Sequence, residues 1–296
     1  QHDKAQRAYL NAKSLAPKSR DVLERVADAT FESGSPDEAA ELYRDLLKHQ
    51  GSELSGPDKG RVLWRMGDSL RRSDQLDEAK PMLEEAATLL ANQAEPLMSL
   101  KELHATKGEW EKVVTTLKRR IDVAPDAERY TLLIEQGDVL LTKLNDKARA
   151  GKSYVGALEL KGDDRNLLSK LMAVYSETKD WSKLVEVILR IAELITDKMQ
   201  LAKYYNTAAA ISHMELGRID EAADYYEQAL DLAPNLGKAF EGLVSALTQK
   251  SDWARLEKAY RDQLRRTESK KPEEGGLTTV VAGVVAVQKM DADRRA

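Results

Sequence analysis

Small and large apolar positions recur along this chain in one repeated spacing, separated by polar turns. The turns resemble Gly-x-x-Asp-Glu-Ala, and each leads to a small or aliphatic residue followed four positions later by an aromatic or large aliphatic one. The first series is Ala5, Ala39, Ala79, Val113, Ala150, Leu184, Ala222 and Leu256. The second is Tyr9, Tyr43, Leu83, Leu117, Tyr154, Ile188, Tyr226 and Tyr260. A separation of four puts both members on one face of a helix, one turn apart, so each pair predicts an α-helix buried along that face. Successive members of the first series lie 34, 40, 34, 37, 34, 38 and 34 residues apart. Pro17, Pro125, Gly162 and Pro234 then stop helices in several units.

A longer period sits above this one. Trp110, Trp181 and Trp253 are 71 and 72 residues apart, and each opens the second helix of a unit in similar wording: Gly-Glu-Trp-Glu-Lys-Val-Val, Lys-Asp-Trp-Ser-Lys-Leu-Val and Ser-Asp-Trp-Ala-Arg-Leu-Glu. Ala79, Ala150 and Ala222, in the alternate units, have the same spacing, and Pro36 stands where a further Trp would fall. Duplication of a two-hairpin block accounts for this alternation. A wedge of tryptophan between hairpins, replacing bulk where the crossing lacks alanine, explains the Trp series better than an aromatic cage does.

The run Gly217 to Pro234, Gly-Arg-Ile-Asp-Glu-Ala-Ala-Asp-Tyr-Tyr-Glu-Gln-Ala-Leu-Asp-Leu-Ala-Pro, carries a resemblance to tetratricopeptide repeats, whose period is 34 residues. Gly217 supplies the turn, Ala222, Tyr226 and Ala229 face the partner helix, and Pro234 ends the unit. The preceding first helix, expected near Leu201 to Leu216, departs from the pattern with Asn206 at the aromatic position and Ala210 at the glycine position; Gly67 and Gly137 hold that position elsewhere. The chain thus resembles a bacterial-type array with a two-repeat super-period over residues 1–268. The resemblance implies an all-α fold, a right-handed superhelical α-solenoid of about eight antiparallel helix hairpins. Residues 269–296 read as a linker, Lys270 to Gly276, followed by a Val-rich segment, Leu277 to Gln288, that is either a capping helix or a disordered tail.

Composition narrows the chemistry. The chain of 296 residues has 46 Lys and Arg against 50 Asp and Glu, a net charge of -4. That balance gives no global reason to bind nucleic acid or an anionic membrane. With no cysteine, disulfides, Cys-ligated metal and cysteine nucleophiles are excluded. A reducing compartment such as the cytoplasm is favoured, yet the start at Gln1 reads as the inside of a longer polypeptide and leaves a signal sequence open. The longest apolar stretch, Leu277 to Val287, is too short to span a bilayer as a helix.

Few residues are spaced for reactive chemistry. His2, His49, His104 and His213 have no metal-ligand spacing, and the last two occupy equivalent places late in first helices, as packing or groove residues. The glycines from Gly51 to Gly60 follow no strand and read as an inter-repeat loop. Asp163 and Asp164 read as a solvated turn. Lys118 to Arg120 and Arg261 to Arg266 read as solvent-facing charge near helix ends. No enzyme, metal site or cofactor is expected.

The resemblance implies a groove lined by first helices on the concave face. Carried over by position, it holds an acidic layer (Asp21, Glu24, Asp28), a mixed layer (Trp64, Arg65, Asp68, Arg71), a more apolar one (Met98, Ile134, Asp138, Leu141) and finally Tyr204, Ile211 and Met214. Ion pairing between the first two layers and ligand binding are both open readings. A carboxylate clamp is disfavoured, since Asn166 and Asn206 are the only first-helix asparagines. The expected function is a non-catalytic scaffold for a protein or peptide partner, with no membrane span. The alternatives are a regulatory or docking arm of a larger enzyme or signalling protein, and an RNA-binding helical repeat. The oligomeric state is not read from the sequence.

Overall fold

Polar side chains start several of the helices. In the computed structural model, which describes residues 19–268, Ser55 Oγ accepts the Asp58 N–H at 3.3 Å. Asp164 Oδ1 accepts from Asn166 and Leu167 at 2.8 and 3.0 Å, and Asp197 Oδ1 accepts from Gln200 at 2.7 Å. Each satisfies an N–H that a helix start leaves without an internal partner. Asp164 is therefore a helix cap, which corrects the reading of it as a solvated turn residue. The Gly51 to Gly60 loop is also shorter than expected, because Pro57 at the first turn and the Ser55 cap start a helix at Gly56.

Two compact units result, Gln1–Leu160 and Lys161–Ala296. The first contains α1 (Arg20–Ser33), α2 (Pro36–Gln50), α3 (Gly56–Arg72), α4 (Leu76–Leu89), α5 (Ala94–Thr106), α6 (Trp110–Val123), α7 (Asp126–Thr142) and α8 (Lys147–Leu160). The second contains α9 (Arg165–Thr178), α10 (Trp181–Glu193), α11 (Lys198–Met214), α12 (Ile219–Leu232), α13 (Gly237–Lys250) and α14 (Trp253–Glu268). Odd-numbered helices are the first members of hairpins and even-numbered helices the second. Among the described residues there is no strand. Ala5, Tyr9, Pro17, His2 and the segment 269–296 lie outside the described residues.

The two periodic series form the core. Ala39, Ala79, Val113, Ala150, Leu184, Ala222 and Leu256 are all buried, as are Tyr43, Leu83, Leu117, Tyr154, Ile188 and Tyr226. Tyr260 is half-buried, with its ring edge-on to Phe240 at 5.2 Å between centroids. Alanine lets two helices cross closely, and the larger residue one turn on fills the wider space beside the crossing. Trp110, Trp181 and Trp253 each open a second helix, as their spacing predicts. Trp110 and Trp253 are half-buried against the cores of their units, and the Lys143 ammonium sits 5.0 Å from the Trp110 ring.

Turn geometry follows from residue choice. Gly217 adopts φ 64 between α11 and α12, a left-handed conformation that a β-carbon disfavours. The helix expected from Leu201 to Leu216 runs instead from Lys198 to Met214, since the Asp197 cap starts it a turn earlier. Gly242 on α13 packs so tightly against the Tyr226 ring of α12 that any side chain there would collide with it. Gly137 does the same for Tyr154 within the α7–α8 hairpin.

Charge joins consecutive hairpins. Arg44 pairs with Glu78 at 3.0 Å, Arg149 with Glu111 at 2.6 Å, and Arg255 with Glu227 at 3.0 Å. In the basic runs late in second helices, Lys118, Arg261 and Arg265 face water as expected, while other members join this pattern: Arg119 donates to the Ala87 carbonyl at 2.9 Å, Arg120 pairs with Glu128 at 3.7 Å, and Arg266 pairs with Asp231. Their long side chains cover apolar surface while their guanidinium groups reach the neighbouring hairpin.

Candidate partner-binding face of the first helices

In the first unit the outward side chains of the first helices are held by one another. Asp28 on α1 accepts the Tyr43 hydroxyl at 2.7 Å and pairs with Arg65 on α3. The Arg65 guanidinium also lies 5.7 Å from the Phe31 ring and 5.9 Å from the Trp64 ring, within range of cation–π attraction. One turn earlier, Arg61 pairs with Glu24, and Arg20 pairs with Asp58 at 3.1 Å. These residues border an open polar cleft of ≈ 270 Å³, lined by Asp21, Glu24, Arg25, Asp28, Arg61 and Arg65. Glu24 and Asp28 of the acidic layer therefore pair with arginines of the adjacent hairpin, while Asp21 lines the cleft outside these pairs.

The same holds further along that unit. Asp68 is only 9% exposed and accepts from Arg71 Nε and Nη2 at 3.0 and 2.8 Å, while Arg71 reaches Glu102 at 3.0 Å. Trp64 is half-buried and donates from Nε1 to Ser99 Oγ at 3.1 Å. Asp138 accepts the Tyr154 hydroxyl at 2.6 Å, repeating the Tyr43–Asp28 geometry. Burial, reinforced by the hydrogen bond to the aspartate, raises the pKa of both tyrosines, so each hydroxyl keeps its proton and remains a donor. Lys101 pairs with Glu135 at 2.7 Å. Ile134 and Leu141 are half-buried, and Met98, at 39% exposed, is the large apolar side chain that this face leaves open to water.

The second unit is built differently. On α11 the residues Tyr204, Thr207, Ile211 and Met214 follow at intervals of three, four and three, which aligns them along one face. Tyr204 and Ile211 are half-buried, and Met214 is 74% exposed. The opposite face, with Ala202, Ala208, Ala209, Ser212 and His213, is buried. On α13, Lys238, Glu241, Ser245 and Thr248 stand exposed at the corresponding spacing. The His213 Nε2 to Gln249 Oε1 contact, 2.8 Å, ties the late turns of α11 and α13 together.

Sequence reasoning brought Tyr204, Ile211 and Met214 onto one helix face, and the structure places them together there. It missed the lysines beside them. Lys203 shares the exposed side with Thr207 and Met214, and Lys238 opens α13; neither has an ion-pair partner among the described residues. The helical spacing of Lys203 from Thr207 was the signal that could have found it. It also missed Ser99 and Glu102, whose roles depend on the approach of α5 to α3.

His104 and His213 are both packing residues. His104 is buried at the α5–α6 turn with Nδ1 2.7 Å from Glu109 Oε2, and burial lowers its pKa. Glu109 is held at about 2, first by Lys112 and then by His104. Among the described residues no group of His, Asp and Glu is arranged to hold a metal ion. None of their helices is long and apolar enough to cross a membrane.

Two segments match tetratricopeptide repeat profiles, residues 1–55 and residues 203–236. No curated protein matches the chain in sequence. Among solved structures, a chain in the Naa15/Naa10 complex bound to HypK-THB is similar at 16% identity and a TM-score of 0.51, over 91% of this chain. This chain spans 39% of that chain's length. The C-terminal part of a TPR repeat-containing protein from Cytophaga hutchinsonii is similar at 15% identity and a TM-score of 0.51, covering 82% of this chain and 94% of that one. These likenesses give the all-α helical-repeat fold.

Proposed function

We propose, from the premise that this chain is a tetratricopeptide-repeat protein, that it is an interaction scaffold holding a peptide or partner helix on its first-helix face. The fold is generally that of a non-catalytic scaffold, and the repeats suggest protein partners. The observation that carries the finer reading is the row Tyr204, Ile211 and Met214, an apolar edge on a helix whose opposite face is already buried. The apolar surface that half-buried Tyr204 and Ile211 and exposed Met214 leave in water along this row is worth more buried than wet, at about 25 cal/mol per Å² of apolar area removed from water. A partner that covers them supplies that burial.

A photo-crosslinking amino acid at first-helix positions tests the reading on the full chain. Incorporated at Met98 or Met214, it is expected to give discrete protein adducts in extract from the source cell. At the exposed second-helix positions Val123 and Val155 it is expected to give none. Adducts only from the second-helix positions would overturn the proposal, as would an absence of protein adducts at every site.

A further inference from the structure

Resting on the scaffold reading, one face can be assigned and its partner's chemistry specified. The first unit offers less to a charged segment, because most of the charged side chains on its first-helix face are committed to each other: Glu24 with Arg61, Asp28 with Arg65, Asp68 with Arg71, and Lys101 with Glu135. A ligand docking there would first have to break those pairs. The second unit presents no such obstacle on α11 and α13.

There the cations and the apolar residues lie at opposite ends. The His213–Gln249 contact joins the C-terminal turns of α11 and α13, so their N-terminal turns share the other end. That end carries the exposed Lys198 and Lys203 of α11 and Lys238 of α13. Tyr204 stands beside Lys203, and the apolar row runs through Ile211 to Met214 at the far end. Three acids stand on this surface: Asp197, which caps α11 beside Lys198, Glu241, one turn past Lys238, and Glu215, which follows Met214. At the lysine end only Asp197 opposes the three lysines, and its carboxylate already accepts the Gln200 N–H.

We infer that α11 and α13 of the second unit form a docking surface for an extended acidic-apolar segment, with its carboxylates against Lys203 and Lys238 and an apolar side chain over Ile211 and Met214. The separation follows from helix geometry. From Lys203 to Met214 is a rise of about 16 Å at 1.5 Å per residue. An extended chain covers that length in about five residues. The partner therefore places its acidic residues about five positions from its apolar anchor, a spacing that an arbitrary acidic sequence does not share.

The test measures fluorescence anisotropy of labelled peptides titrated with the full chain. One probe carries an Asp-Glu pair and a Leu-Met pair separated by five Gly and Ser residues. A second has Lys in place of both acids, and a third moves the Leu-Met pair next to the acids. The first is expected to bind best, and raised salt is expected to weaken it. Lys203→Glu combined with Lys238→Glu is expected to weaken it about tenfold or more, and Met214→Asp by a similar factor. Met98→Asp, in the first unit, is expected to leave it within about twofold. All four altered positions are exposed, and a retained circular-dichroism melt separates lost binding from lost fold.

Equal binding of the lysine probe or of the contiguous probe overturns the inference. So do indifference to the α11 and α13 changes, and absence of binding by the first probe up to about 1 mM. The two readings fail separately. Crosslinks from Met98 with no binding of the acidic-apolar probe remove this docking surface and leave the scaffold standing. An absence of crosslinks at every position removes the scaffold itself.

Discussion

The two units use the same helix positions for opposite purposes. In the first, the outward side chains of first helices close on one another through Asp28, Arg65, Asp68 and Arg71, and second-helix hydroxyls donate to this face, Tyr43 to Asp28 and Tyr154 to Asp138. In the second, the corresponding positions are Tyr204, Ile211, Met214, Ser245 and Thr248, and none of these forms an ion pair. A repeat position is thus a geometric address. Whether it stabilises the array or meets a partner depends on what the adjacent hairpin offers it.

The sharpest way to break this contrast is Tyr43→Ala. It removes a fully buried ring and the hydroxyl that holds Asp28, and is expected to cost about 4 kcal/mol. Chemical denaturation should show the loss in the first unit, with a less cooperative transition, because repeat arrays need not unfold in one step. An unchanged midpoint would mean that the Tyr43 register is wrong.

Acidification probes the same unit as a whole. Its Glu109 is held at about 2, first by Lys112, below the ordinary 4.5, and Glu111 is lowered by Arg149. Asp58 is lowered by Ser55 and Arg20, and Asp77 by Lys107. A carboxyl with a depressed folded-state pKa contributes stability above its unfolded value and loses it as pH falls through the folded one. His104, lowered by burial, acts in the same direction once pH drops below its ordinary 6.5, because the unfolded form then takes up the proton more readily. Hydrogen exchange followed from pH 7 downward should show the α4–α6 region losing protection as pH falls from about 6.5 toward 2. Constant protection across that range would contradict the assignment.

Smaller effects separate structural from available residues. Asp28→Ala leaves Arg65 without its carboxylate and is expected to cost about 2 kcal/mol, below the figure for a fully buried pair because both groups retain some exposure. Tyr204→Ala and Met214→Ala, by thermal melts, are expected to change stability by less than about 0.5 kcal/mol. A large loss at either would mean that the second face is structural too.

Much of the fold is legible in the sequence because it rests on local spacing. Alanine and an aromatic four residues apart report one helix face whatever surrounds them, and Trp at a helix start needs only the turn before it. Pairing between helices is not local in this sense. Glu24 and Arg61 are 37 residues apart, and their meeting depends on how far α3 slides along α1. The loop from Gly51 to Ser55 sets that slide, and no periodicity encodes it. Lys203 and Lys238 escaped for the opposite reason: they pair with nothing among the described residues, so no partner pattern pointed to them.

The seat of Tyr226 against Gly242 bears on where this protein can be cut. The ring belongs to one hairpin and its socket to the next, whereas Tyr154 finds its socket at Gly137 without leaving its own hairpin. A fragment ending after α12 would keep the peg and lose the socket, baring an aromatic face to water. One ending after α13 would keep both. In the second unit, then, a cut at the seam of the sequence repeat after α12 breaks this contact, and a cut one helix later preserves it.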